Sequence, residues 1–109
     1  METRDVVIVS LCRTAIGDFM GSLKDVTARE LAMTAATEAI KRSGVPADKI
    51  DELVMGQLYT GMQGSLPARQ VAMRVGLPHR STSVTVNQNC ASAMRALEIA
   101  ATNIMIGKN

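Results

Sequence analysis

Cys90 is the residue in this sequence best placed for covalent chemistry. It lies in the segment Val-Asn-Gln-Asn-Cys-Ala-Ser-Ala, residues 86–93, which predicts a strand end, a sharp polar turn and a helix starting at about Cys90. The unpaired N–H groups and positive dipole end of a helix N-terminus favour an anion, so they would stabilise a thiolate. The same amides could hold a developing oxyanion. On spacing alone, Cys90 is either a covalent nucleophile or a small buried hydrophobe.

The other residues with possible chemistry have structural interpretations. His79 is the only histidine, and its loop position favours a surface residue over a catalytic base. Arg13 and Thr14 either brace a loop or contact an anionic ligand. Tyr59 and Met62 lie in a glycine-containing stretch, where they either pack or approach a substrate or a partner subunit. The glycines form no phosphate-binding G-x-G-x-x-G motif and are interpreted as turns.

Strands and helices are predicted to alternate along the chain. The first helix is the best defined, since Thr27 and Glu30 form a capping-box pattern and Gly44 and Pro46 end it. A second helix is predicted to begin with Ser65 as its cap. The strands are predicted at residues 6–10, 50–58 and 83–87, and the last helix at about residues 90–106. This β-α-β-α-β-α order favours an α/β fold with a largely parallel sheet. Because the last helix is apolar on more than one face, the domain is expected to be incomplete without further chain.

Composition excludes several function classes. The chain has 109 residues, a net charge of +2, 47% hydrophobic residues and only 2% aromatic residues. Such a small charge and so few rings argue against nucleic-acid binding. There is no apolar run long enough to span a bilayer and no secretory signal pattern, so the expected location is cytoplasmic. Cys12 and Cys90 do not have the spacing of a disulfide framework or a zinc site, and no metal is expected.

Several motifs, in order along the chain, resemble those of the thiolases. Residues 86–97, Val-Asn-Gln-Asn-Cys-Ala-Ser-Ala-Met-Arg-Ala-Leu, resemble the family's acyl-enzyme signature. Residues 7–17, with Arg-Thr-Ala-Ile-Gly at the end, resemble its opening strand and loop. Phe-Met-Gly-Ser-Leu at 19–23, Pro-Ala-Arg-Gln at 67–70 and Gly-Leu-Pro at 76–78 also fit. Ala93 departs from the family's usual Gly or Ser, which should only crowd its surroundings slightly.

The resemblance implies a C-acyltransferase in which Cys90 carries the acyl group as a thioester. Its backbone N–H would contribute to an oxyanion hole, and CoA thioesters would be substrates, with no cofactor required. Residues 1–109 would be the N-terminal part of the thiolase N-terminal domain, in a layered αβαβα fold. The loop domain and the C-terminal domain, with the catalytic histidines and second cysteine, would belong to a complementary polypeptide. Cys12 is not that second cysteine.

Two interpretations of function remain at the sequence level. The first is a thiolase of fatty acid or ketone metabolism that is active only in a homo- or hetero-oligomer with a completing chain, with residues 83–87 as a candidate dimer seam. The alternative is a non-catalytic structural module of an acyl-CoA-handling complex, in which Cys90 is inert. A ketoacyl synthase is also conceivable, but the Arg-Thr-x-Ile-Gly and Cys-Ala-Ser motifs favour a thiolase.

Overall fold

The chain folds as a small α/β unit in a computed structural model that describes residues 1–109. Its elements are α1 (Ala28–Ser43), a 3₁₀ turn (Ala47–Lys49), β1 (Glu52–Gly56), α2 (Pro67–Arg74), β2 (Thr82–Val86) and α3 (Ser92–Met105). The α/β class, the three helices and two of the three strands are therefore confirmed, with ends shifted by a few residues. No helix is both long and apolar enough to cross a bilayer.

The sheet consists of β1 and β2, which run parallel with Glu52 opposite Thr82 and Gly56 opposite Val86. Helix α2 forms the connection between the two strands, as parallel pairing requires. Both strands therefore end at the same edge of the sheet, which we call the carboxyl edge. Helix α3 follows directly from this edge and packs on β1 and β2.

Helix α1 begins at the predicted capping box. The Thr27 hydroxyl accepts a hydrogen bond from the Glu30 N–H at 3.1 Å, while the Thr27 N–H donates to the Glu30 carboxylate at 2.7 Å. The Thr27 hydroxyl also donates to the Glu30 carboxylate, at 3.0 Å. The two bonds that the carboxylate accepts, from the Thr27 N–H and hydroxyl, lower the pKa of Glu30 because they stabilise its charged form. At the other end Gly44 adopts φ 71°, the left-handed conformation common after a helix.

Helix α2 does not have the predicted serine cap. Its N-cap is Leu66, in a left-handed conformation with φ 46°, and no side chain caps it from that position. Thr85 of β2 instead accepts a hydrogen bond from the buried Ala68 N–H at 3.1 Å. The prediction for Ser65 was wrong because the acceptor comes from a strand seventeen residues away rather than from the helix's own leading residues.

The strand predicted at residues 6–10 does not form. No backbone hydrogen bond joins this segment to another part of the chain, and the nearest such bond runs from the Arg4 N–H to the Met105 carbonyl at 2.9 Å. The segment instead runs beside α1, where the Ser10 hydroxyl donates to the Ala39 carbonyl at 2.6 Å. Its apolar residues Val7, Ile8 and Val9 are exposed. The sequence has the apolar pattern of a strand, but the backbone of this segment pairs with neither β1 nor β2.

The core is small. Its fully enclosed apolar residues are Ala68, Val71, Ala72, Leu77 and Ala96, contributed mainly by α2 and the adjacent turn. On α3 the side chains of Met94 and Leu97 remain exposed. Helix α3 thus has apolar residues facing away from the sheet, as its sequence pattern predicted.

Candidate active site

The carboxyl edge brings together the loops that follow the two strands. The Gln57 N–H donates to the Val86 carbonyl at 3.0 Å, which extends the pairing one step beyond β1. The Asn87 amide then donates to the Leu58 carbonyl at 3.2 Å. These bonds join the two chain segments immediately before the turn that carries Cys90.

Cys90 lies in a turn closed by hydrogen bonds on both sides. The Ala91 N–H donates to the Gln88 carbonyl at 3.0 Å, and the Ser92 N–H donates to the Asn89 carbonyl at 3.1 Å. Asn89 has φ 48°, a left-handed conformation that asparagine tolerates better than most residues. Its N–H donates to the Asn87 side-chain oxygen at 3.1 Å. The chain therefore reverses sharply at this point and leaves Cys90 exposed.

Helix α3 begins two residues later than predicted. Its first helical residue is Ser92 and its N-cap is Ala91, so Cys90 precedes the cap by one residue. No side chain caps the helix from the Ala91 position. The N–H of Cys90 donates to no acceptor in the chain. An exposed thiol and an unpaired N–H on one residue are two of the groups that an acyl-enzyme step needs, a nucleophile and an oxyanion donor, and the third is a base.

Gly56 permits the close approach of α3 to the end of β1. A Cβ at Gly56 would lie 2.5 Å from the Ala93 nitrogen and 2.6 Å from the Ser92 carbonyl oxygen, distances that real Cβ atoms do not show. Sequence reasoning treated Gly56 as a loop residue and missed this role. The available signal was a glycine at the end of a predicted strand, which often marks a close backbone approach.

His79 lies at the end of the sheet opposite Cys90. It precedes β2, where its carbonyl accepts a hydrogen bond from the Arg69 guanidinium at 3.0 Å, whereas Cys90 follows β2. A strand of five residues spans about 16 Å. His79 therefore cannot reach Cys90 within this chain, in agreement with its interpretation as a loop residue.

Cys12 is also separate from the candidate site. Its thiol donates to the Ala35 carbonyl of α1 at 3.2 Å, and both cysteines are free. The largest cavity, about 730 Å³, lies beside Cys12 and is also lined by Arg13 and Thr14 of the loop and by residues of α1. None of the cavities includes Cys90. The chain thus presents the thiol at its surface without a pocket around it.

The loop at residues 57–66 follows β1 on the same edge. The buried Gln57 amide donates to the Tyr59 carbonyl at 2.9 Å and to the Gln63 side chain at 3.1 Å, which shapes the loop from inside. Tyr59 and Met62 are exposed, so they do not pack within this chain. There is no group of three or more His, Cys, Asp or Glu side chains that could hold a metal ion.

The sequence model of the family described as "Thiolase, N-terminal domain" matches residues 6–109 of this chain. Among curated relatives, the acetyl-CoA acetyltransferase of Cupriavidus necator is 44% identical over 103 residues, which cover 94% of this chain and 26% of the relative. The mitochondrial acetyl-CoA acetyltransferase of Bos taurus is 41% identical over 103 residues, and these residues make up 24% of its length. With almost its whole length matched, the chain belongs to the thiolase family.

Two solved structures agree with this assignment. An acetyl-CoA acetyltransferase from Syntrophomonas wolfei superposes with a TM-score of 0.95 at 50% identity, covering 99% of this chain and 27% of that protein. The Acat5 thiolase of Ascaris suum, solved in complex with coenzyme A, gives a TM-score of 0.91 at 36% identity and is covered to 26%. The chain therefore spans about a quarter of the length of the relatives that it matches.

Proposed function

We propose that this chain carries the nucleophile of a thiolase that transfers acyl groups between CoA thioesters, with Cys90 as the acylated residue. The observation that supports this proposal is the exposed Cys90 with its unpaired N–H at the carboxyl edge, in a chain of the thiolase family. Relatives named acetyl-CoA acetyltransferases favour acetyl-CoA as a substrate. CoA is then a substrate and a product rather than a resident cofactor.

The proposed chemistry has two steps through one thioester. In the first, a base takes the Cys90 thiol proton, the thiolate attacks the acyl-CoA carbonyl to form a new S–C bond, and the bond from carbon to the CoA sulfur breaks as CoA leaves with the proton that the base held. In the second, a base removes the α-proton of another acyl-CoA, the resulting carbanion attacks the Cys90 thioester to form a C–C bond, and the Cys90 thiolate is released. Cleavage of a 3-ketoacyl-CoA by free CoA is the same sequence in reverse. The Cys90 N–H would stabilise the oxyanion that forms on the carbonyl in the first step.

Residues 1–109 contain no suitable base for this chemistry, and we propose that a complementary polypeptide supplies it. The only histidine of the chain lies at the opposite end of β2, and no other base of neutral pH stands near Cys90. Residues 1–109 would thus be the N-terminal part of a thiolase N-terminal domain. A complementary polypeptide would supply the loop domain, the C-terminal domain, the catalytic histidines and the second cysteine.

The surfaces of the chain support completion by further strands. Because the sheet has only two strands, β1 has one unpaired edge. Beside it lies a groove of about 330 Å³ whose ten lining residues are all hydrophobic, among them Leu11, Leu53 and Met55. Leu11, Cys12 and four alanines of α1 form its other side. An open strand edge beside apolar surface is the kind of site that an added β-strand fills.

The outer edge of β2 supports association of the completed protein. Residues 83–87 form the proposed dimer seam, and β2 is paired on only one side, with β1. A second copy could pair with the free side through backbone hydrogen bonds. The expected assembly is a homo- or hetero-oligomer.

The experiment uses the assembled protein, meaning this chain together with a completing polypeptide. That polypeptide is either the one that co-purifies with the native chain or the remaining part of the S. wolfei acetyltransferase, joined after residue 109. The high structural similarity makes the second form practical. Cleavage of acetoacetyl-CoA in the presence of free CoA, which accepts the acetyl group from Cys90, is measured for the assembled protein, for the chain alone, and for the variants Cys90→Ser and Cys12→Ser.

The assembled protein should cleave acetoacetyl-CoA, and the chain alone should not. Cys90→Ser should reduce cleavage to background, while Cys12→Ser should retain it, since serine can keep the hydrogen bond from Cys12 to the Ala35 carbonyl and Cys12 is separate from the candidate site. Mass spectrometry should find the acetyl group on Cys90. A folded assembled protein that is inactive, or active without Cys90, overturns the proposal; an inactive one with an unreactive Cys90 supports the structural module instead.

A further inference from the structure

The hydroxyl of Ser92 makes two hydrogen bonds across the turn that carries Cys90. It accepts from the Gln88 N–H at 2.9 Å and donates to the Asn89 carbonyl at 2.6 Å. Gln88 and Asn89 come directly before Cys90, while Ser92 follows it by two residues. The Ser92 side chain thus connects the start of α3 to the two residues that precede Cys90.

Ser92 itself is held firmly. It is only 5% exposed, and its carbonyl group lies against Gly56 at the end of β1. The hydroxyl therefore cannot touch a substrate, but it connects the cysteine turn to the sheet. Its position at the start of α3 also fixes where the helix begins relative to Cys90.

The two hydrogen bonds of the Ser92 hydroxyl pair backbone groups of the turn that would otherwise need other partners. The Asn89 carbonyl accepts from the hydroxyl and from the N–H of Ser92, and the Gln88 N–H is paired with the hydroxyl. The turn, with Asn89 in its left-handed conformation, is thereby closed without the N–H of Cys90. That N–H stays unpaired and points to no acceptor of this chain.

We infer that Ser92 is a positioning residue for acyl transfer, which sets the direction of the Cys90 thiol and keeps its N–H available for the oxyanion. The inference depends on the proposed function, because it concerns the reaction of Cys90. Loss of the hydroxyl leaves the thiol present but lets the turn adopt other conformations. A displacement of about 1 Å at a reacting group lowers a rate by about 100-fold.

The test compares Ser92→Ala, Ser92→Thr and Ser43→Ala in the assembled protein. Ser43 is a matched control, since its hydroxyl accepts from the Val45 N–H at 3.0 Å and donates to the Ile40 carbonyl at 2.6 Å, at the end of α1. We measure kcat and KM for acetoacetyl-CoA cleavage, the alkylation rate of Cys90 by iodoacetamide, and the melting temperature.

Ser92→Ala should lower kcat and the alkylation rate by about 10- to 100-fold with little change in KM. Ser43→Ala should change neither, even if both variants melt at similarly reduced temperatures. Ser92→Thr keeps the hydroxyl and should restore kcat to within a few-fold. A kcat for Ser92→Ala equal to that of Ser43→Ala overturns the inference, as does failure of Ser92→Thr to exceed Ser92→Ala.

These outcomes are distinct from failure of the proposed function. If activity survives Cys90→Ser, the proposed function is wrong, and the alkylation rate of Cys90 still reports on the turn. An alkylation rate unchanged by Ser92→Ala would then remove the positioning role as well. If activity requires Cys90 but not the Ser92 hydroxyl, only the role of Ser92 is wrong.

Discussion

Gly56 and Ser92 pack backbone against backbone at the carboxyl edge. A Cβ at Gly56 would lie 2.5 Å from the carbonyl carbon of Ser92 and 2.6 Å from its oxygen. The strand end and the first turn of α3 therefore share a contact that only glycine allows. The position of Cys90 depends on this contact, because its turn is anchored to Ser92.

Gly56→Ala should displace the first turn of α3. The neighbouring atoms are backbone atoms and cannot rotate aside, so we expect a loss of about 1–3 kcal/mol in the free energy of unfolding. In the assembled protein, the rate of acetoacetyl-CoA cleavage should also fall. Thermal unfolding measures the loss of stability, and steady-state kinetics measure the loss of cleavage.

Gly61→Ala provides the matched control. No atom lies within 4 Å of the place where its Cβ would stand, and its φ is not in the left-handed region. The same methyl group added there should leave both stability and cleavage near the original values. Equal effects of the two substitutions would show that the close contact does not position the site.

Thr85 of β2 provides the acceptor that the first turn of α2 needs. Thr85→Val removes the oxygen and leaves the Ala68 N–H buried without a partner, which should cost about 1–3 kcal/mol of unfolding free energy. Hydrogen exchange at the Ala68 amide should become faster. Thr85→Ser should restore most of the stability.

Thr82→Val is the control for the Thr85 substitution. Thr82 lies on the same strand, but it is exposed and its side chain makes no hydrogen bond. Its replacement should leave the exchange of Ala68 unchanged. If both valine variants behave alike, the effect comes from strand propensity rather than from the bond to Ala68.

The parts of the fold set by local interactions were predictable from the sequence. Thr27 and Glu30 are three residues apart, and their capping box follows from their types and spacing. A sharp polar turn followed by a helix was predicted in the same way from residues 86–93, but with Cys90 at the start of the helix rather than in the turn before it. Helix α3 begins two residues later than expected because Ala91, without a capping side chain, precedes it.

The parts set by contacts between distant segments were not predictable. The acceptor for α2 comes from Thr85, seventeen residues from Ala68, and nothing in the sequence near Ser65 indicates it. Residues 6–10 have the apolar pattern of a strand, yet a strand also needs a paired backbone, and this segment pairs with neither β1 nor β2. For Ser92, a signal existed: a serine at a helix start commonly bonds nearby backbone groups.

The capping box of α1 predicts a pH dependence in the acid range. The hydrogen bonds from Thr27 hold the pKa of Glu30 below its ordinary value of 4.5. The contribution of ionised Glu30 is complete above the unfolded pKa and is lost as the pH falls through the lower, folded pKa. The protection factors of the α1 amides, meaning their hydrogen exchange corrected for the intrinsic rate at each pH, should therefore fall below about pH 4.5.

Two variants separate this effect from general acid unfolding. Glu30→Gln removes the titrating group, so the loss of protection assigned to Glu30 should disappear while other acid effects persist. Thr27→Ala removes the partner and should cost about 1 kcal/mol of helix stability near neutral pH. If the α1 amides of the Glu30→Gln variant show the original pH profile, the capping box is not the source of the acid sensitivity.

Glu52 joins the start of β1 to the end of α3 through a buried carboxylate. Its side chain is 4% exposed, and one carboxylate oxygen accepts from the Asn103 amide at 2.7 Å and from the Asn109 amide at 2.6 Å. Its other oxygen is buried without a hydrogen bond, with the Lys108 ammonium 4.0 Å away. The buried Glu52 carboxylate is thus stabilised by only two hydrogen-bond donors, the side-chain amides of Asn103 and Asn109.

Asn103→Ala should therefore destabilise the packing of α3 on the sheet. Removing a donor from a buried carboxylate costs about 1–3 kcal/mol, which thermal unfolding of the assembled protein can measure. Thr102→Ala, at the neighbouring exposed position of the same helix, should cost less than about 0.5 kcal/mol. Equal losses for the two variants would mean that Asn109 and Lys108 alone satisfy Glu52, and that the bond to Asn103 does not contribute to the stability of α3.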